Sequence, residues 1–280
     1  MSRIDLTIVI VNYNGASVLA PCLDAVFSSQ GTLSFEVIVV DNASQDNSLE
    51  ILDDYSSQTL LIKNDVNGGF SRGNNQGASQ GSGRYVFLLN NDTIVDTDMF
   101  QTCLDYYDAH PTIGALGPRL LNQDRTIQRT GGILGQHQYR SHHPSEVSFL
   151  SGAALMLSRV MWDRVGGLDE HYFFYNEDLD LCKMIQKQGA KLVYLPQGLL
   201  VHLGGVSTTT RRPESVFEGY RGGMYFCKKH YPWVVYLLYR SLLLCVLVPS
   251  LIYSVLLSLF FRDRMAYVHV YLKLMFIGIS

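Results

Sequence analysis

Thr7-Ile8-Val9-Ile10-Val11, running into Asn12-Tyr13-Asn14-Gly15, is the stretch whose reading decides the fold. A row of β-branched residues with no polar alternation reads as a strand buried on both faces, and the switch to turn-forming polar residues ends it. Leu19, Cys22, Leu23, Val26 and Phe27 then recur at helical spacing, and Glu36–Val40 is a second β-branched run. Strand, helix, strand in that order is a βαβ unit. Further candidate strands follow at Leu60–Ile62 and Tyr85–Leu89, and Met99, Phe100, Cys103, Leu104 and Tyr107 repeat the helical stripe. The expectation is an α/β chain, Rossmann-like, with a mostly parallel sheet flanked by helices.

Polar residues follow three of these strands at once: Asn12, Asp41-Asn42, and Asn90-Asn91-Asp92. Ligands of open α/β sheets bind at the carboxyl ends of strands, so three polar clusters there mark a site. The glycine-rich stretch Asn67-Gly68-Gly69-Phe70-Ser71-Arg72-Gly73-Asn74-Asn75-Gln76-Gly77 reads as a loop entering a helix, able to bring backbone N–H groups to a phosphate. No Lys-Ser/Thr follows its glycines, and the first βα loop is not GxGxxG, which removes the main support for an ATPase or an NAD dehydrogenase. Asn90-Asn91-Asp92 offers the oxygen ligands that Mg²⁺ or Mn²⁺ uses when it also holds a diphosphate, against an Asx turn that merely closes the strand. Tyr172-Phe173-Phe174-Tyr175 precedes Asn176-Glu177-Asp178-Leu179-Asp180, which reads as a helix start with Asn176 as N-cap and Gly189 as the stop. Asp178 in that first turn is favoured as an anion by the backbone and desolvated by its aromatic neighbours, which suits a base near neutral pH.

The 280 residues carry 22 basic and 25 acidic side chains, with no sustained basic run, so no nucleic-acid partner is expected. Five scattered cysteines without a CxxC pair read as reduced and intracellular, and the short apolar start at Leu6 does not read as a secretory signal. Residues 111–150, rich in glycine, histidine and serine, read as a connecting segment with a Gly131-Gly132 turn, and His142-His143 as surface residues. Ser151–Leu157, Lys191–Leu195 and Leu199–Leu203 read as three more strands, the last carrying His202. Ser241–Phe261 is a 21-residue run without a charge, and a helix of that length rises roughly 30 Å, the thickness of a bilayer core. The expected division is a domain over residues 1–230 and an apolar, membrane-associated helical tail over 231–280, with Tyr231, Trp233, Tyr236 and Tyr239 as an interfacial aromatic belt.

Val11-Asn12-Tyr13-Asn14, Asp41-Asn42-Ala43-Ser44, the Asn67–Gly77 stretch, Leu89-Asn90-Asn91-Asp92-Thr93, and Gly166-Gly167-Leu168-Asp169-Glu170 through Asp180 together closely resemble family-two inverting glycosyltransferases, with the rhamnosyltransferase-like branch nearest. The resemblance covers about residues 4–225 and implies a GT-A fold that binds a nucleotide-sugar donor at the carboxyl edge of the sheet. It implies that Asn12, Tyr13 and Asp41 meet the base, with Asn67, Gly68, Arg72, Asn74 and Asn91 also on the donor. Asn90 and Asp92 match the metal-binding DxD motif, with Asn90 in place of its first aspartate. His202 matches a histidine that completes the metal site, Asp178 the catalytic base, and Glu177 a residue that orients the acceptor. Arg72, Arg211, Arg212 and Arg221 are further candidates for diphosphate charge, and Ser207-Thr208-Thr209-Thr210 for a lid. The resemblance further implies L-rhamnose from dTDP-rhamnose as donor, a lipid-linked saccharide acceptor, and a place at the cytoplasmic face of the membrane in polysaccharide assembly. The competing classes are a nucleotidyltransferase, which would want a basic glycine-rich first loop, and a nucleotide-sugar-binding protein without transfer.

Overall fold

A computed structural model describes residues 4–29, 31–130, 139–204 and 212–277. They fall into two compact units, one built on the chain up to Glu170 together with the stretch from Glu177, the other on His171–Asn176 with the C-terminal helices.

The first unit holds one sheet. Its strands are β1 (Leu6–Asn12), β2 (Phe35–Asp41), β3 (Thr59–Lys63), β4 (Tyr85–Asn90), β5 (Thr93–Val95), β6 (Ile113–Leu121), β7 (Ser145–Val147), β8 (Ala154–Ser158) and β9 (Lys191–His202). Spatial order is β3-β2-β1-β4-β8-β6-β9-β5, with β7 also paired to β9. Pairings among β1 to β4 are parallel. Beyond β4 the sheet is mixed: β8 is antiparallel to both neighbours, β6 and β9 are parallel, and β5 and β7 run antiparallel to β9. The βαβ signature therefore accounts for the first half of the sheet, and the second half adds antiparallel strands.

Side-chain alternation divides the core between the two sheet faces. Leu6, Ile8 and Ile10 of β1 pack with Leu19, Cys22, Leu23 and Val26 of α1 (Ala16–Phe27) and with Phe100 and Cys103 of α4 (Met99–Ala109). Val9, Val86 and Leu88 lie on the other face with Trp162 of α5 (Arg159–Val165) and Leu181 and Ile185 of α6 (Glu177–Lys187). Two short helical pieces complete the first half, α2 (Ser48–Asp54) and α3 (Gly69–Gln80).

Three expectations are corrected. Residues 111–150 contain β6, an interior strand of nine residues, which Gly114, Gly117 and Pro118 had disguised; Pro118 sits at a register shift, where a missing N–H is tolerated. Lys191–Leu195 and Leu199–Leu203 are one strand, β9, interrupted only by that same irregularity. Most of the glycine-rich stretch is helix rather than loop. Gly73 and Gly77 let α3 lie close on the sheet: a Cβ on Gly73 would sit 2.9 Å from Val11, and one on Gly77 would overlap Val9. The Gly131-Gly132 turn and the Ser207–Thr210 lid, with Arg211, lie outside the described residues, as does the side chain of Arg212.

In the second unit, α7 (Arg212–His230), α8 (Trp233–Ser258) and α9 (Arg264–Phe276) follow in sequence. Met224, Leu243, Leu247, Val270 and Leu274 form its small core. The α9 helix folds back along α8, with Arg240 Nη2 donating to the Met275 carbonyl at 3.4 Å. The outward side of α8 is apolar and open: Trp233 is 72%, Leu242 69% and Leu256 57% exposed. Among the described residues α8 is the helix long and apolar enough to cross a membrane, with mean hydropathy 2.2.

Gly77→Val tests the α3 packing. Overpacking a close helix–sheet contact costs about 2 kcal/mol, which the small propensity gain over glycine does not offset. A lowered urea midpoint is expected; an unchanged one contradicts the contact.

Candidate active site

Order reverses between β2-β1 and β4, so the carboxyl ends of β1 and β4 flank a topological switch point. Register places Asn12 beside Asp41 and Val11 beside Asn90. Asn12 Nδ2 donates to Asp41 Oδ1 at 2.9 Å, and Asn91 Nδ2 donates to Asn12 Oδ1 at 2.7 Å. Ser44 adds its hydroxyl to Asp41 Oδ1 at 2.6 Å and its N–H to Oδ2 at 2.9 Å. Asn12, Asp41 and Asn91 are thus one connected network, and buried Asp41 accepts from three donors. Its burial is offset by those bonds, in line with the rule that a buried charge must be paired or hydrogen-bonded. Ser44 was not singled out from the sequence as a partner of Asp41, although the Asp-x-x-Ser spacing of an Asx turn was there to be read.

The arrangement of Asp92 and His202 follows from the pairing of β5 with β9, which sets Thr93 opposite His202. Gln128 Nε2 donates to the His202 carbonyl at 3.1 Å, which fixes the amide so that its Oε1 faces His202 Nδ1 at 2.8 Å. Nδ1 is therefore the protonated nitrogen, and in the neutral ring Nε2 carries a lone pair. That nitrogen lies 3.2 Å from Asp92 Oδ1 and 3.3 Å from Asn90 Nδ2. In that tautomer Nε2 accepts from Asn90 Nδ2, and Asp92 Oδ1 is buried without a hydrogen-bond partner. A buried, unpartnered carboxylate oxygen beside an imidazole nitrogen fits a divalent cation. Among the described residues no third His, Cys, Asp or Glu joins them, so Asn90 and oxygens of the donor would have to complete the shell. Gln128 was missed because it lies in the segment read as a connector.

Asp178 and Glu177 open α6, with Glu177 buried and Asp178 half-buried. Asp178 Oδ2 accepts from Gly152 N–H at 3.1 Å, and Oδ1 from Leu179 N–H at 2.8 Å. Glu177 Oε2 has no partner. Burial raises both carboxyls above their ordinary range, and Glu177 goes further because the Asp178 charge adds to desolvation. Two N–H donors oppose that rise at Asp178, so Asp178 gives up its proton more readily than Glu177. The adjoining Ala153 carbonyl accepts the Asn90 N–H at 2.9 Å. Two consecutive residues thus tie the end of β4 to Asp178.

Other expected positions are more peripheral. Asn67 Oδ1 accepts the Gly69 N–H at 2.9 Å, turning the chain into α3. Asn74 is buried, with Nδ2 donating to the Phe70 carbonyl at 3.0 Å and Oδ1 unpartnered. Arg72 is exposed and lies over Gly68, whose Cβ would meet its Cδ at 2.9 Å. Tyr13 is half-buried after β1. In the second unit Arg221 is paired with Glu218 at 2.5 Å rather than standing as a free cation.

The family model of glycosyl transferase family 2 matches residues 7–166. A Mycobacterium tuberculosis protein named N-acetylglucosaminyl-diphospho-decaprenol L-rhamnosyltransferase is 30% identical over 175 residues, 53% of this chain and 57% of its own length. An O-antigen biosynthesis protein of Myxococcus xanthus is 24% identical over 220 residues, 71% of this chain but 17% of its own. The chain thus spans little more than half of one relative and a small part of the other. Among solved structures, Staphylococcus aureus TarS 1-349 superposes with a TM-score of 0.63 at 16% identity, covering 80% of this chain and 64% of that one. GalNAc-T7, crystallised with UDP, GalNAc and Mn²⁺, gives 0.60 at 16% identity over 72% of this chain and 44% of that one. These neighbours share the GT-A architecture, and with the family model spanning more than half of its residues the chain belongs to glycosyl transferase family 2.

Proposed function

We propose that this protein is an inverting glycosyltransferase that moves a sugar from a nucleotide-sugar to a hydroxyl of a lipid-linked saccharide at the cytoplasmic face of a membrane. L-Rhamnose from dTDP-rhamnose is the donor favoured, on the strength of the similarity to a rhamnosyltransferase. The observation that carries the reading is the Asp178 carboxylate, half-buried, hydrogen-bonded by Gly152 and Leu179 N–H, and linked through Ala153 to Asn90. An inverting transfer needs one base on the acceptor side and charge stabilisation on the leaving-group side, and these two ends of one backbone link supply the places for both. Asp178 takes the acceptor hydroxyl proton as that oxygen attacks the anomeric carbon. Glu177 beside it holds its proton more readily, because burial and the Asp178 charge both push its carboxyl up. The Asn12–Asp41–Asn91 network holds the loops that receive the nucleotide. Asp92 and His202, with Asn90, would hold Mg²⁺ or Mn²⁺, which when bound supplies Lewis-acid neutralisation of the diphosphate.

Residues 231–280 are proposed as the membrane-associated tail of a domain over residues 1–230. Supporting this, residues 219–280 contain seven Lys or Arg against one acidic residue, Asp263, while the whole chain is net −3. Cationic residues beside an apolar helix suit an anionic leaflet. Arg262-Asp263-Arg264 at the turn between α8 and α9 opposes deep passage, so a shallow or re-entrant hairpin is favoured over a simple span. Flotation of the full chain with liposomes containing anionic lipid is expected, weakening as salt rises. Protein that stays soluble, monodisperse and unbound without detergent would remove the membrane reading.

Asp178→Asn should retain nucleotide binding and lower kcat roughly 10²-fold or more, as loss of a general base does. Near-normal turnover would overturn the assignment. The sign of the pH dependence follows from the raised carboxyl: a base must be ionised, so wild-type kcat should fall as pH drops through a value above the ordinary Asp range.

Asp92→Ala should abolish the Mn²⁺ dependence of nucleotide-diphosphate binding in calorimetry, with His202→Ala weaker in effect. Gln128→Leu should lower metal affinity roughly 10-fold or more, because it releases the imidazole tautomer. Unchanged Mn²⁺ dependence in all three variants places the metal elsewhere.

A further inference from the structure

The segment that enters the candidate base is held in an unfavourable backbone conformation. Tyr175 and Asn176 both have φ of +70°, a left-handed pair of non-glycine residues directly before Glu177. Asparagine visits that region readily, whereas an aromatic residue there is strained by its Cβ. Such an outlier persists only where its surroundings over-determine it.

Those surroundings are α7. Asn176 Nδ2 donates to the Gly219 carbonyl at 3.0 Å, and Arg221 Nη2 donates to the His171 carbonyl at 3.0 Å. The His171 ring stacks on Tyr225 at 5.1 Å, and Tyr172 meets the same ring edge-on. Gly222 lets the backbones meet: a Cβ there would lie 2.6 Å from Asn176 Nδ2 and 3.0 Å from the Tyr175 carbonyl oxygen. Gly223 does the same for the tail, since its Cβ would lie 2.6 Å from Tyr239 Oη of α8. Gly219 differs, with only Tyr175 Cδ2 at 3.9 Å. Adjacent glycines of one helix therefore admit the segment before the base and the first turns of the apolar helix.

We propose that Gly222 and Asn176 are positioning residues for the sugar transfer, clamping His171–Asn176 on α7 in the left-handed turn from which the chain enters Glu177-Asp178. The proposal rests on the reading of Asp178 as base. Because α7 leads through Tyr231-Pro232 into α8, the clamped segment and the apolar helix share one packed unit, from which the chain runs directly into Glu177.

The test compares full-length variants in liposomes, with dTDP-L-rhamnose or the nucleotide-sugar that replaces it in a donor screen. Gly222→Ala should lower kcat roughly 10-fold or more with donor KM within about two-fold, the pattern of a misplaced catalytic group rather than lost binding. Gly219→Ala, the same chemical change three residues away, should stay within about two-fold of wild type in both parameters. Asn176→Gly, which keeps the left-handed turn but loses the amide, should retain more turnover than Asn176→Ala, which loses both. Gly222→Ala turning over like Gly219→Ala overturns the clamp. Should Gly222→Ala fail to fold by circular dichroism, equal kcat in Asn176→Gly and Asn176→Ala overturns it instead. Asp178→Asn at wild-type turnover, in the same series, refutes the base and the clamp with it, whereas an inactive Asp178→Asn beside a normal Gly222→Ala refutes only the clamp.

Discussion

Two peptide groups, those of Gly152 and Ala153, hold the candidate site together. One donates its N–H to Asp178 and the next accepts from Asn90. A hydrogen bond to a charged group contributes about 1.5–3 kcal/mol, and losing a donor to a buried carboxylate would leave an anion that the interior does not tolerate. That inequality distinguishes two adjacent carboxyls: Asp178 has donors, and Glu177 Oε2 has none. Gly152 also brings its backbone within contact range of the base, since a Cβ there would lie 3.4 Å from Asp178 Cβ. The antiparallel β8 matters for the same reason. Running against β4, with Leu89 opposite Ala154, it delivers the residues before its start to the edge where β4 ends.

Much of this was legible in the residue pattern. The β-branched runs of β1, β2 and β4 and the polar residues that end them identify the sheet and its binding edge, because burial on two faces leaves no freedom in what such strands contain. The stripes of α1 and α4 were equally plain, with Met99, Phe100, Cys103, Leu104 and Tyr107 all buried. Interior β6 was hidden because its sequence, Ile113-Gly114-Ala115-Leu116-Gly117-Pro118, carries residues that usually interrupt strands. A Cβ on Gly117 would sit 2.6 Å from Leu150, so packing, not turn formation, requires that glycine. Gly73 and Gly77 of α3 were misread for the same reason. Backbone donors are invisible to side-chain motifs, which is why Gly152 and Ala153 went unnoticed although Asp178 did not. Gln128 illustrates a further limit: its role arises from a β9 partner 74 positions away, and nothing local marks it.

Electrostatics divides the chain's work. The region before α7 carries nearly all of the acidic residues, and the buried ones among the described residues are Asp41 and Asp92 at strand ends and Glu177 and Asp180 in the first turn of α6. Asp41 is saturated by neighbours, whereas Asp92 Oδ1 is not. The contrast separates a carboxylate whose oxygens are both occupied by neighbours from one with an oxygen left open. Asn90 stands at the first position of the DxD-like motif, so Asp92 is the only acidic residue of that motif. The C-terminal helices have the opposite balance, basic and apolar, and their exposed side chains are unlike the surface of a soluble domain.

The proposed reaction is a single displacement in which Asp178 acts as base and no covalent sugar–enzyme species forms. The most direct measurement is the anomeric configuration of the product made by the wild-type chain, read by NMR from the one-bond carbon–hydrogen coupling at the transferred sugar and compared with the donor. The account predicts inversion at that carbon, since one carboxylate on the acceptor side with the nucleotide leaving from the opposite face permits one displacement. Retention of the donor's configuration would contradict it.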